Sequence, residues 1–174
     1  MTREFTLRRA VRGDYPAIAR LQTESWRTAY AGLLDAAYIN GRMAADLQAF
    51  WAEQTQGGLR FQIVAEGADG GLLGFVALLP KADGPYVDNL HVLPAAKGRG
   101  LGRALMARAA KELIELGENS VYLTVIAANE PAIAFYESIG GQASGPFADA
   151  VFDQQVSAYR YDWTDLPALA AQAG

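Results

Sequence analysis

The spacing of apolar positions changes several times along the chain, and each change marks an element. Phe5 to Arg9 alternates as a short strand, and from Asp14 the positions Ile18, Leu21, Gln22, Ser25 and Trp26 recur at helical spacing until Gly32. A second helical region starts at Asp35, breaks near Asn40-Gly41 and resumes from Met43 through Trp51. Arg60 to Glu66 and Leu72 to Leu79 read as strands joined by the turn Gly67-Ala68-Asp69-Gly70-Gly71. Tyr86 to Leu93 is a further strand, followed by a glycine-rich turn and a helix to about Leu116. A strand from Ser120, a helix from Asn129 and two strands, Gly141 to Phe147 and Val151 to Trp163, complete the order. This order predicts an α/β (α+β) chain, with about four helices on a mixed, mostly antiparallel sheet of about seven strands. It forms one domain over residues 1–174, with a frayed tail from Pro167 to Gly174.

Half of the 174 residues are apolar, enough for one core and too few for two. The chain has no cysteine, which excludes disulfides, thiolate metal sites and an acyl-cysteine intermediate, and no metal is expected. No apolar run approaches the length of a membrane span and the first residues lack a signal core, so a soluble, cytoplasmic protein is expected, with no membrane partner. A net charge of -4 argues against nucleic acid as a partner.

Against that acidic background, Lys97, Arg99, Arg103, Arg108 and Lys111 follow one another with no acidic residue between them. They begin in Lys97-Gly98-Arg99-Gly100-Leu101-Gly102-Arg103, where a strand passes through glycines into a helix. The free N–H groups and positive end of a helix start make such a turn a phosphate cradle. It is not a P-loop, because Arg103-Ala104 follows Gly102 where Lys-Ser or Lys-Thr is required. It is not the dinucleotide fingerprint either, since the third glycine would fall on Arg103 or Leu105. The alternative use of the charges is a solvated helix face.

The turn fits [QR]-x-x-G-x-G with Lys97 in first place, and about thirty residues later Asn129-Glu130-Pro131-Ala132-Ile133-Ala134-Phe135-Tyr136-Glu137-Ser138-Ile139-Gly140-Gly141 fits N-x-x-A-x-x-[FL]-Y-x-x-x-G-[FG]. In that segment Asn129 reads as an N-cap, Pro131 lies in the first turn, and Gly140 or Gly141 serves as a left-handed C-cap. In this order and spacing the two motifs resemble the signatures of the GNAT superfamily of N-acetyltransferases, and the element order is similar over nearly the whole chain. Two positions depart from the pattern: Lys97 replaces Gln or Arg, and Gly141 stands where an apolar anchor is usual.

The resemblance implies an enzyme that moves an acetyl group from acetyl-CoA, its co-substrate, to a primary amine by direct attack in a ternary complex. A small-molecule amine acceptor is expected. A protein N-terminus or lysine is the alternative acceptor, and a non-catalytic acyl-CoA-binding module the alternative function. The resemblance places the pyrophosphate on Lys97, Gly98, Arg99, Gly100, Leu101, Gly102 and Arg103, and the acetyl group beside the backbone of Leu90, His91 and Val92. Asn129, Ala132, Phe135 and Tyr136 would flank the pantetheine arm, although capping alone accounts for Asn129. Tyr136 matches the tyrosine that protonates the departing thiolate, and packing under its helix is the other use of that ring.

Asp88 stands on the face of Leu90 and is the candidate base, provided burial raises its pKa. His91 has the better intrinsic pKa, yet strict alternation points it away from the cleft into a packed, structural position; a bulge would reverse that, and the resemblance implies that this strand carries one and splays from its neighbour across the cleft. For the acceptor the candidates are Glu24, Trp26, Tyr30, Tyr38, Tyr86 and Asp88. The run Trp26-Arg27-Thr28-Ala29-Tyr30-Ala31-Gly32-Leu33 looks like many GNAT members, although Trp26 and Tyr30 at i, i+4 also suit a helix core. Tyr159, Tyr161 and Trp163 on one face of the last strand offer a surface for a homodimer.

Overall fold

In the computed structural model, which describes residues 4–151 and 154–172, the alternating segment near the start forms strand β1, Phe5–Arg9. Helices α1, Tyr15–Ala29, α2, Ala36–Asn40, and α3, Met43–Ala52, follow, with the break at Asn40-Gly41 where the sequence marks it. Strands β2, Phe61–Gly67, β3, Leu72–Lys81, and β4, Gly84–Val92, lead to helix α4, Leu101–Glu115. Strand β5, Val121–Ile126, helix α5, Glu130–Ser138, strands β6, Gln142–Val151, and β7, Gln154–Trp163, and helix α6, Leu166–Ala170, complete the described chain. Asp35, Asn129 and Asp165 cap α2, α5 and α6 by accepting backbone N–H groups with their side chains.

Seven strands form one sheet in the order β1-β2-β3-β4-β5-β7-β6, antiparallel throughout except between β4 and β5. Two layers cover it. On one face Ile18 and Leu21 of α1 and Trp51 of α3 pack against Val64, Phe75 and Ala77. On the other, Leu101, Leu105 and Leu113 of α4 and Leu166 and Leu169 of α6 pack against Ile63, Val76 and Leu78. Residues 61–65 of β2 are buried on both faces, so β2 reads as a continuous apolar run rather than an alternation. Among the described residues no helix is long and apolar enough to cross a membrane.

Three expectations change. Residues 167–170 of the tail do not fray: with Leu166 they form α6, and Leu166, Leu169 and Ala170 are buried in the core. This helix and the division of the second helical region give six α-helices among the described residues rather than about four. The aromatic face of β7 is not a free surface for a homodimer, because Tyr161 and Trp163 are buried and Tyr136 of α5 packs against both rings. Residues 152 and 153 of the expected strand Val151–Trp163, and 173 and 174 of the tail, lie outside the described residues.

The feature that positions the site is the join between β4 and β5. They pair at Tyr86 and Tyr122 and nowhere beyond, so the sheet opens into a wedge from Val87 onward. The Tyr86 hydroxyl and Thr124 Oγ1 share a hydrogen bond of 2.9 Å across the narrow end.

At the opposite edge, Glu112 of α4 accepts from Arg9 Nε at 2.9 Å and from Arg108 Nη2 at 2.8 Å, tying the edge strand to the helix. Burial pulls the Glu112 pKa upward, but the hydrogen bonds and charges of Arg9 and Arg108 outweigh it and hold the carboxyl below its ordinary value. A depressed folded pKa stabilises above the unfolded value and ceases to do so as the pH falls through the folded one. Glu112→Gln is therefore expected to lower unfolding stability by about 1–3 kcal/mol at pH 7. In urea melts the gap to wild type should narrow once the pH falls below about 4.

Candidate functional site

Strand β4 is not a regular strand. Ala77 of β3 pairs with Asn89 and Leu78 pairs with Val87, so Asp88 is an extra residue with no partner. This bulge resets the alternation. Beyond it Asn89 and His91 face α1 together with Ala77 and Phe75, while Leu90 and Val92 pack toward α4. The Leu93 N–H donates to Leu73 O of β3 at 2.9 Å. Because successive N–H groups point to opposite sides, that of His91 also faces β3, and those of Leu90 and Val92 point into the wedge. The wedge thus holds two adjacent donors on one side, as expected for Leu90 and Val92 but not for the backbone of His91.

The bulge also overturns the expectation that His91 faces away from the cleft, since its ring lines the α1 side of it. Trp26 Nε1 donates to His91 Nε2 at 3.0 Å. An indole nitrogen can only donate, so Nε2 carries the lone pair and Nδ1 carries the proton, which goes to Ser25 Oγ at 3.0 Å. Burial first, then the charge of Lys97, pushes the imidazole pKa down to about 3. His91 is a neutral bracket between β4 and α1, the structural use read from the sequence, although it sits on the face expected of a base.

Asp88 reaches the solvent of the cleft, yet the protein around it raises its pKa above the ordinary aspartate value, against the opposing pull of Lys81 and Arg60. Asn89 Nδ2 donates to its Oδ2 at 3.0 Å. Gln22 Nε2 donates to Asn89 Oδ1 at 2.9 Å, and Trp51 Nε1 donates to Gln22 Oε1 at 2.6 Å.

Beyond β4, a short 3₁₀ turn, Pro94–Ala96, leads into the glycine turn. Gly98 and Gly100 take φ of 78° and 77°, the left-handed region that a side chain makes costly. Gly100 is the N-cap of α4, and the first helical bond is Ala104 N to Gly100 O at 3.0 Å, so the N–H groups of Leu101, Gly102 and Arg103 have no partner within the helix. Gly102 serves a different purpose, since a Cβ there would lie 3.1 Å from Cζ of Phe135 on α5. Two of the expected phosphate ligands are already engaged: Arg99 pairs with Glu4, and Arg103 donates to Gln172 Oε1 and to Ser138 O. The basic run therefore divides, with Lys97 and the backbone facing the turn, Arg103 fastening the tail and Arg108 fastening β1 through Glu112.

Asn129, Ala132, Phe135 and Tyr136 of α5 line the opposite wall, and Asn129 Oδ1 accepts the Ala132 N–H at 3.4 Å. Burial, with the nearby phenols of Tyr30 and Tyr86, pushes the Tyr136 phenol far above its ordinary value, so it stays protonated. Gly140, at φ 85°, ends α5. A Cβ on Gly141 would lie 2.8 Å from Trp163 and 3.0 Å from Tyr161, so these rings fill the place of the apolar anchor that the motif lacks.

Together these walls enclose one cleft of about 1150 Å³. Its far arm is lined by Trp26, Tyr30, Leu33, Tyr38, Leu47 and Phe50. Tyr86 lies at its floor, its ring under Lys81 Nζ at 3.4 Å. Glu24 is not in the cleft: Gln22, Ser25, Trp26 and Ala29 turn inward at helical spacing, and Glu24 is exposed outside them. The sequence reading missed Gln22, Ser25 and Asn89 as site residues. For the first two the signal was present, as polar residues on the apolar stripe of α1.

Three comparisons bear on this geometry. The model of the acetyltransferase (GNAT) family matches residues 16–141. The chain is 27% identical over 169 residues to the uncharacterized N-acetyltransferase YuaI of Bacillus subtilis (strain 168), covering 94% of this chain and 95% of that protein. It is 29% identical over 146 residues to the peptidyl-lysine N-acetyltransferase YiaC of Escherichia coli (strain K12), covering 77% and 81% of the two. The fold is similar to that of the PaiA N-acetyltransferase from Thermoplasma acidophilum in complex with coenzyme A, with TM-score 0.75 and 21% identity over 94% of this chain and all of that one. Motifs, wedge and family match agree: the chain belongs to the GNAT family, as an acetyltransferase that uses acetyl-CoA.

Proposed function

We propose that this enzyme acetylates a primary amine on a small molecule with an apolar or aromatic body. The observation that carries this reading is the far arm of the cleft, where Trp26, Tyr30, Tyr38 and Phe50 meet the Asp88 carboxylate at the bulge. A ring or alkyl body suits the aromatic walls, and its cationic amine suits the carboxylate.

Acetyl-CoA supplies the activated acyl group. The residues fit it: N–H groups of Leu90 and Val92 offer donors to a carbonyl oxygen, and the left-handed turn at Gly98 and Gly100, with Lys97, offers a concave anion site at the start of α4. Asp88 takes a proton from the substrate ammonium, directly or through a water, which frees the nitrogen lone pair. As the new C–N bond forms and the C–S bond breaks, the Tyr136 hydroxyl donates its proton to the thiolate, and the second proton shed by the nitrogen restores the phenol through solvent. A raised phenol pKa would oppose that transfer to a thiolate in water, but the pKa of a thiol leaving into the same buried surroundings is raised too. His91 takes no part in proton transfer, because its lone pair is occupied.

A screen of small aromatic and aliphatic amines beside a lysine peptide, following CoA release with a thiol reagent, is expected to favour an arylalkyl amine. Preference for the peptide would overturn the acceptor assignment. With the best amine, Asp88→Asn and Tyr136→Phe should each lower kcat by about 10²–10⁴ with little change in acetyl-CoA affinity. Retained turnover in either removes that residue from the mechanism. His91, the one histidine of the chain, gives a separate check by NMR. Its ring should remain neutral with the proton on Nδ1 from pH 8 to 5, and a midpoint near 6.5 would contradict the bracket.

A further inference from the structure

Asp88 is held at the end of a hydrogen-bond chain whose direction can be settled atom by atom. It starts at the Trp51 indole, which is 2% exposed and wedged between Tyr15 and Phe75 at ring separations of 5.7 and 5.5 Å. Indole N–H has no acceptor character, so the Gln22 side chain must present its carbonyl oxygen to it. The Gln22 amide nitrogen then faces Asn89, whose carbonyl must accept, and Asn89 is left with its NH₂ toward Asp88. Each amide has two orientations, and one fixed donor at the far end selects both.

We propose that Trp51, Gln22 and Asn89 form a one-way chain that positions the Asp88 carboxylate as an oriented proton acceptor in the cleft. Asn89 and Gln22 are positioning residues, acting through Asp88 and not on the substrate. The proposal rests on the reading of Asp88 as the base.

Three facts make the chain a device for Asp88 and not general core packing. Gln22 and Asn89 are buried, at 2% and 8% exposure, where a polar side chain is costly unless every partner is met. Asn89 reaches α1 only because the bulge at Asp88 turns it there, so one irregularity creates both the projecting carboxylate and its support. Finally, a carboxylate on a bulge lacks the neighbours that a regular strand would give it, and the Asn89 bond supplies a fixed one.

The charged groups acting on Asp88 are Lys81 of β3 and Arg60 ahead of β2, both favouring the anion. Its own strand contributes His91, neutral and with Nε2 at 3.3 Å from Asn89 Oδ1. Both atoms accept in this arrangement, so that approach is not a hydrogen bond. The α1 residues turned toward it, Gln22, Ser25 and Trp26, carry no charge. The chain therefore adds orientation to a charge balance set by other groups.

The test uses the Trp51 indole N–H as a remote reporter. In ¹H–¹⁵N spectra of the wild type, its resonance should shift with pH at the midpoint given by the Asp88 side-chain carbon, because ionisation of Asp88 polarises each donor in the chain. The shift should vanish in Asp88→Asn. It should vanish also in Gln22→Met, which keeps length and removes both polar ends. In that variant kcat on the best amine of the screen should fall about tenfold with acetyl-CoA affinity unchanged. A Trp51 signal that stays flat through the Asp88 titration in wild type overturns the proposal, whether or not any variant folds. So does a folded Gln22→Met with wild-type kcat. Wild-type turnover in Asp88→Asn would instead remove the base reading while leaving the indole titration in place, so the two failures are told apart.

Discussion

One extra residue in β4 sets the geometry on which the site depends. Without the bulge at Asp88, alternation would carry Asn89 to the α4 face and His91 to the face opposite the cleft. With it, Asn89 and His91 reach Gln22, Ser25 and Trp26, and α1 holds β4 by three side-chain hydrogen bonds. Those bonds fasten β4 on its α1 side just where it leaves β5, after the single pairing of Tyr86 with Tyr122. The wedge that results exposes backbone donors that a closed sheet would satisfy internally, and an unsatisfied donor pointing into a cleft is available to a ligand.

The same economy governs charge. Of the basic residues between Lys97 and Lys111, Arg108 pairs within α4 with Glu112, which Arg9 of β1 also holds, Arg103 ties α4 to the tail, and Arg99 pairs with Glu4. What faces the glycine turn is chiefly the backbone at the start of α4, with Lys97 beside it. On the proposed reading, recognition of a phosphate there would rest more on directed N–H groups and a helix end than on a cluster of side-chain cations. Gly100 is needed for its left-handed φ, whereas Gly102 is needed because Phe135 lies against it.

Much of this was legible in the chain. The element order, the break at Asn40-Gly41, the glycine turn and the capped helix at Asn129 all follow from local signals: period, punctuation and capping. The family resemblance implies a bulge in this strand, but its place was not legible, because it is defined by the partner strand's register, which no local window contains; with it went the face of His91 and the role of Asn89. Gln22 and Ser25 carried a readable signal, polar side chains at core spacing on α1, but their partners lie 67 and 66 residues away. The small residues of the tail read as solvated, whereas in the fold Leu166 and Leu169 of α6 are buried in the core beside α4. Glu24 belongs to the helices that the resemblance puts beside the cleft, but it lies two residues from Trp26 on a helix, where side chains face different ways, and it is exposed outside the cleft.

On the proposed mechanism, the wedge between β4 and β5 and the glycine turn hold a single acyl-CoA, with its carbonyl on the donors of Leu90 and Val92. The most direct measurement is a backbone amide NMR titration with a non-hydrolysable acetyl-CoA analogue. Saturable binding is expected, in which the amides of Leu90, Val92 and residues 98–103 move most, with the Leu90 and Val92 shifts lost when the carbonyl is absent from the analogue. Saturation that leaves those two amides unmoved would contradict it.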